Sequence, residues 1–304
     1  VGRYGPGAAV LEIADTAGVS VGSVHNFTRR CIIALLSLHD QVFHFRDEEQ
    51  MQGAAQCAAN KSGTNAWHGG HLATDGTPIP FFSRPGWYGQ DFYGKDKVYA
   101  MQLTLVIFIH TLLIADYAVG RPGSTHDASA FQDTRLFKHH DDLLHAYEWI
   151  WADSAYTLAA WLITPFKKPR GGELTPEQKR FNYYLSKIHV AVEHAIGLLK
   201  LHWSSLKELR IHITDRAQWA YAVMWIRSCL ILHNLILRSE LAQGRNLAKE
   251  QIWSQVMQDF GCSVEDMRSV PSDEADMGDE EEGTPEGKNM RQWLMEQLLA
   301  VHPL

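Results

Sequence analysis

The run YAMQLTLVIFIHTLLIADYAV, residues 99–119, constrains this chain more than any other stretch. A nearly unbroken apolar run of this length has to be hidden from water, either inside a folded core or across a membrane. Gln102, His110 and Asp116 interrupt it, and its β-branched content favours extended backbone. It therefore reads as two buried strands, VYAMQLTLVIF and LLIADYAVG, paired as a hairpin, and no membrane is expected. The turn between them has no Gly, Asn or Pro to fix its position.

The neighbouring segments extend the pattern. HLATDGTPIPFF reads as a strand before the hairpin, YEWIWADSAY as a fourth strand that is apolar up to Asp153, and WLITPF as a fifth. In GRPGSTHDASAF, Ser124 and Asp127 resemble a capped helix start, with the helix expected to run through HHDDLLH. Helices around VAVEHAIGLLK and RAQWAYAVMWIRSCLILHNLILRSE close the series. Strand, strand, strand, helix, strand and helix is the order of an α/β ribonuclease H-like mixed sheet flanked by helices, placed at about 69–238.

Around this body, residues 1–45 read as a helix-turn-helix, with Ile13, Ala14, Gly18, Val19, Val24 and Phe27 at the packing and turn positions. Its second helix would display Ser23, His25, Asn26, Arg29 and Arg30, residue types that contact bases and phosphates. A helical hairpin used only for packing is the alternative. The net charge of −7 is unevenly placed: ten acidic and two basic residues fall within 263–288, which reads as a disordered acidic linker. Residues 289–304 read as a short amphipathic helix that docks on the body or on a partner. Cys31, Cys57, Cys229 and Cys262 are widely spaced, as reduced thiols in an intracellular protein would be.

In VAVEHAIGLLK, helical spacing puts Ile188, Val192, Ala195, Ile196 and Leu199 on one core-facing stripe. His189, Glu193, Gly197 and Lys200 form a second stripe beside it. If the first and fourth strands pair, Asp75 and Asp153 become neighbours, and the helix of Glu193 can pack across them. Three converging carboxylates repel one another unless cations bind between them. Such oxygen ligands suit Mg²⁺ or Mn²⁺, and two ions can activate water for phosphodiester cleavage. The plainer roles are a turn at Asp75-Gly76, a strand-end cap at Asp153-Ser154, and a helix-start role for Asp127. His139, His140, Asp141, Asp142 and His145 read as a solvated helix end. The His-Asp pairs also raise an HD-type phosphohydrolase, an all-helical fold that conflicts with the strand runs.

ATDGTPI, VGRPGSTHDASAF, ADSAYTL and KIHVAVEHAIGLLK resemble, in order and spacing, the signature blocks of the PIF/Harbinger transposases and their domesticated nuclease-like relatives, the DDE superfamily-4 endonucleases. The resemblance covers about residues 8 to 235. It implies Asp75, Asp153 and Glu193 as a metal-binding catalytic triad, Asp127 as an auxiliary acid, and Mg²⁺ or Mn²⁺ as cofactor. It further implies cutting at transposon ends followed by strand transfer, in the nucleus, with DNA as partner and a Myb-like accessory protein or a second copy beside it. His189 and Lys200 would lie toward the DNA. Such proteins usually carry arginine where this chain has His189, a basic residue where it has His202, and an Arg-Lys pair where it has KDKVY. These departures favour the alternative of a domesticated factor that binds DNA or protein without cutting.

Overall fold

A computed structural model describes residues 10–43, 45, 47–94, 97–169, 171–249, 252–254 and 283–304. The strands are β1 (Gly70–Pro80), β2 (Ala100–Phe108), β3 (Ile114–Pro122), β4 (Trp149–Trp151) and β5 (Leu162–Ile163). They form one sheet in the order β3-β2-β1-β4-β5, with β1, β2 and β3 antiparallel and β4 and β5 running parallel to β1. Helices flank this mixed sheet, so the α/β, ribonuclease H-like architecture expected from the sequence is the one observed. A five-stranded sheet also removes the all-helical phosphohydrolase reading.

The apolar run is the middle of this sheet. All nine residues of β2 are buried, as a strand covered on both faces requires, whereas β3 at the edge is only partly covered. Without a turn glycine, the hairpin closes through Leu112 at φ 63, whose N–H donates to Phe108 O at 2.9 Å. The left-handed backbone is held there because the Leu112 side chain is fully buried.

Among the helices, α1 (Val10–Ala17) and α2 (Val21–Leu36) are joined by a turn in which Gly18 takes φ 64 and Ser20 caps α2 by accepting from Ser23 N. His25, Asn26, Arg29 and Arg30 are exposed on α2, and Ser23 is half-buried. Phe27, expected to join the two helices, is instead 54% exposed; Val24 and Ile32 take the buried face. Residues 1–9 of the expected helix-turn-helix lie outside the described residues. After α3 (His39–Val42) and α4 (Glu48–Ser62), the chain enters β1.

One continuous helix from Ser124 through HHDDLLH is not formed. The segment breaks into α5 (Asp127–Phe131), α6 (Arg135–Lys138) and α7 (His140–Leu143). Thr134 restarts the chain by capping Phe137 N, and the Ser124 hydroxyl donates to Asp91 O at 2.6 Å instead of capping a helix. His140 stacks on Trp161 while Asp141 stays exposed, so the His/Asp cluster is a solvated end.

The long helices are α8 (Pro176–His202) and α9 (Arg216–Ala242). A complete capping box, Thr175 with Gln178, and Pro176 at the first turn set the start of α8. By length and composition α9 could cross a membrane, but it packs on α2, β3 and α8. Its Asn234 side chain accepts from Ile114 N at 2.9 Å and donates to Ile114 O at 2.8 Å, fastening the helix to the edge strand.

The last helix, α10 (Pro285–Val301), docks on the body, against β5, α8 and the 3-10 turn Asn65–Gly69. It begins within the expected linker: Pro285 is the first helical residue, where a missing N–H costs nothing, and Thr284 caps Gly287 N. Residues 255–282, most of the acidic linker, lie outside the described residues.

His71 and His233 are buried, and His110 and His194 half-buried. Burial lowers the pKa of His71, His110 and His194 to about 4, and that of His233 well below its ordinary value, with neighbouring charges secondary. The sign follows directly: the unfolded histidines take up protons near 6.5, while the folded ones stay neutral. Stability is therefore full above that pH and is lost as the pH falls from 6.5 towards 4, at up to ~1.4 kcal/mol per pH unit for each group. Thermal melting followed from pH 7.5 to 5 should show this decline; a flat profile would contradict it.

Candidate active site

The parallel register of β1 and β4 brings the first two carboxylates together. Ala73 pairs with Trp151, so Asp75 and Asp153, each two residues further along, stand level at the point where β4 ends. Asp75 lies inside a regular strand, opposite Leu105, and Gly76 opposite Thr104. The turn reading of Asp75-Gly76 therefore falls. Asp153 does hold its own turn, its Oδ1 accepting from Ala155 N at 2.8 Å.

α8 runs along β1 and supplies the third carboxylate. Ile188, Val192, Ala195, Ile196 and Leu199 are all buried, as their spacing requires. On the second stripe, His189 Nε2 lies 3.2 Å from Thr74 O, and since a carbonyl only accepts, that nitrogen carries the proton. Lys200 Nζ donates to Thr77 Oγ1 at 2.7 Å and to Pro78 O at 3.2 Å. Glu193 sits between these two ties, beside the strand of Asp75, with its side chain 45% exposed and 4.0 Å from His189 Nδ1. His189 and Lys200, expected to lie toward the DNA, are both hydrogen-bonded to β1, because the stripe that carries them lies beside that strand. His202 is also internal, its Nδ1 2.9 Å from His233 Nδ1.

Asp127 approaches β1 from the start of α5. Gln102 Nε2 donates to Asp127 Oδ1, and a Cβ at Gly76 would meet that oxygen at 2.1 Å. Gly76 is therefore the space into which Asp127 fits. Gly76→Ala should displace Asp127 and Gln102 and cost ~1–3 kcal/mol, read as a lower melting temperature; an unchanged melting temperature would mean that Asp127 moves aside freely.

Burial, then the Asp153 charge, push the Asp75 carboxyl well above the usual carboxylate range, with Asp127 and Glu193 adding to the rise and the Gly76 N–H opposing it. Sequence reasoning missed Tyr156, a buried phenol whose pKa is pushed well above its ordinary value by burial and then by the charges of Asp75, Asp127 and Asp153. Its position three residues after Asp153 was the only signal.

All four carboxylates lie within residues 74–234, the span matched by the sequence profile of the DDE superfamily endonuclease family, over half of the chain. The chain belongs to that family. It is similar to "Putative nuclease HARBI1" of Xenopus laevis, 25% identical over 243 residues, covering 79% of this chain and 67% of that one. The Bos taurus and Homo sapiens proteins of that name are each 22% identical over 245 residues, covering 78% of this chain and 65% of theirs. The chain thus spans about two thirds of the length of these relatives. No solved structure matched it. The Harbinger resemblance read from the sequence blocks is borne out, and with it a nuclease-like character for this DDE superfamily endonuclease.

Proposed function

We propose that the chain is a divalent-metal-dependent DNA endonuclease of transposase descent, with Asp75, Asp153 and Glu193 holding the ions and Asp127 assisting. The observation that carries this is the field at Asp75, where the charges of Asp153, Asp127 and Glu193 all bear on one half-buried carboxylate. Such an arrangement is costly without a cation, and its oxygen donors suit Mg²⁺ or Mn²⁺. As the side chains stand, no three His, Cys, Asp or Glu among the described residues are grouped closely enough to hold an ion. The donor chemistry fits, and Glu193, exposed and with rotatable bonds, is the ligand free to swing inward.

A bound pair of such ions would activate a water and stabilise the leaving oxygen of a phosphodiester. The chain's own residues do the rest. Asp75 and Asp153 present carboxylates from paired strands, and Glu193 closes the site from α8. His189 and Lys200 keep α8 seated on β1, so histidine at position 189 preserves a structural tie beside the glutamate. Exposed His25, Asn26, Arg29 and Arg30 on α2 offer contacts to DNA bases and phosphates. Strand transfer, work in the nucleus, a Myb-like accessory protein and self-association extend the same reading.

The test is nicking of terminal-repeat DNA in Mn²⁺ by the wild type and by Asp153→Asn. Cutting by the wild type alone is the expected result. If neither cuts while both bind the DNA, the non-cutting alternative takes the place of the nuclease.

A further inference from the structure

β4 ends at Trp151, and further along β1 its place is taken by residues 207–213, which follow the 3-10 turn Ser204–Leu206. Leu209 N donates to Pro80 O at 2.7 Å, Phe82 N to Leu209 O at 3.3 Å and Gly86 N to Ile213 O at 2.8 Å. The two segments run parallel, as an extended ribbon that continues the line of β1. Residues two apart share a face of such a ribbon. Phe81, Leu209 and Ile213 are buried on one face, while Phe82, Arg84, Arg210 and His212 are exposed on the other. The Phe82 ring, 38% exposed, lies edge-to-face with that of His212 at 4.6 Å. Trp87 N also donates to Ile213 O, at 3.3 Å, which keeps Tyr88 at the ribbon's end. Tyr88 takes φ 48, a region unfavourable for so large a side chain, and its ring is left 66% exposed beside Trp87.

The ribbon, residues 80–87 and 207–213, carries three cations, Arg84, Lys207 and Arg210, against one acid, Glu208. Glu208 pairs with Arg210 at 3.0 Å with both side chains exposed, a contact worth little and easily exchanged. An acidic peptide would use these cations and leave the rings idle, and an apolar partner would bury the charges at a cost. Rings beside arginines on one extended face suit a single nucleic-acid strand, whose unpaired bases stack on the rings while its phosphates meet the cations. Pro80 lies ~17 Å beyond Asp75 along the extended backbone of β1, and Lys200 bonds that strand between them, at Thr77 and Pro78.

We propose that this ribbon is a docking surface for a single DNA strand: unpaired bases stack on Phe82, His212 and Tyr88, and Arg84 and Arg210 hold the phosphates. In use it takes the strand that leaves the carboxylate site, a role that rests on the reading of that site as one that cuts DNA.

The experiment is fluorescence anisotropy of a labelled oligothymidylate and of a duplex of equal length with the full chain, in EDTA so that no divalent ion contributes. Melting temperatures are measured alongside. Phe82→Leu keeps the apolar cover of the ribbon and loses the aromatic face; strand affinity should fall roughly 10-fold, with duplex affinity and melting temperature unchanged. His212→Ala, at an exposed position, should do the same and decides the matter if Phe82→Leu melts lower. Arg84→Gln and Arg210→Gln should each lower the salt slope of strand binding by ~0.7. A wild type that does not bind the strand, or wild-type strand affinity in both Phe82→Leu and His212→Ala, overturns the proposal; nicking in Mn²⁺ by the same protein would leave the nuclease reading standing. Strand binding that weakens in these variants, by a protein that never cuts in Mn²⁺, supports the docking surface and overturns the nuclease reading alone.

Discussion

Asp75→Asn is expected to abolish metal-dependent DNA cleavage, by roughly 10³-fold or more, while raising the melting temperature of the metal-free protein. Both effects come from one cause. In the unfolded chain the Asp75 carboxyl ionises in its ordinary range; in the fold, burial and the Asp153 charge move its pKa well up. A group shifted in that direction favours the folded state at low pH and loses that contribution as the pH rises through the folded pKa. At neutral pH the metal-free fold therefore carries the cost of burying that carboxyl beside Asp153. Asparagine has nearly the same shape without that charge, so it relieves the strain and removes the ligand together. Mn²⁺ at a hundred times its Kd should stabilise the wild type by ~2.7 kcal/mol and leave Asp75→Asn where it was. Thermal melting with and without Mn²⁺, beside a cleavage assay, reads both effects. An Asp75→Asn protein that still cuts, or one that melts below the wild type, would remove Asp75 from the site.

Ending the chain before Thr284 should leave it unable to hold its fold at room temperature. α10 buries Leu294, Met295 and Leu298, and burying three such side chains contributes about 5–9 kcal/mol, at ~1.5–3 kcal/mol each. That is comparable with the ~5–15 kcal/mol stability of a typical folded protein. Polar ties would go as well. Trp67 Nε1 donates to Leu294 O at 3.1 Å, and Arg291, 2% exposed, donates to Pro165 O at 3.2 Å with its guanidinium 3.9 Å above the Phe166 ring. Removing the helix leaves the Trp67 N–H buried and unpaired or exposes the ring beside it, and either is costly. Circular dichroism melting of residues 1–283 against the full chain tests this, with Leu294→Ala as the milder variant at ~2–5 kcal/mol. A truncated chain melting within a few degrees of the full one would make α10 an appendage.

Much of the candidate site was legible because its geometry follows local rules. Parallel pairing of β1 with β4 turns matching positions into neighbours, so strand assignments put Asp75 beside Asp153 and the resemblance of the sequence blocks named both. Helical spacing marked Glu193 against a buried stripe. Gly76 was harder: beside an aspartate it reads as a turn, and only the approach of Asp127 from α5 gives its missing side chain a purpose. Lys200 and His189 carried no mark of which neighbour they would bond, since a cation and an imidazole suit a phosphate and a backbone carbonyl alike.

The sequence by itself determined the apolar run that had to become buried strands, the periodic stripe of α8 and the order of the elements, because hydrophobic period and chain connectivity act over a few residues. Only the tertiary structure decided that His189 and Lys200 brace β1, that Tyr156 is buried against Phe131, and that α10 closes the body. Each of those depends on which surfaces meet across distant parts of the chain, and burial and hydrogen bonding at such contacts are set by packing, not by neighbours in sequence.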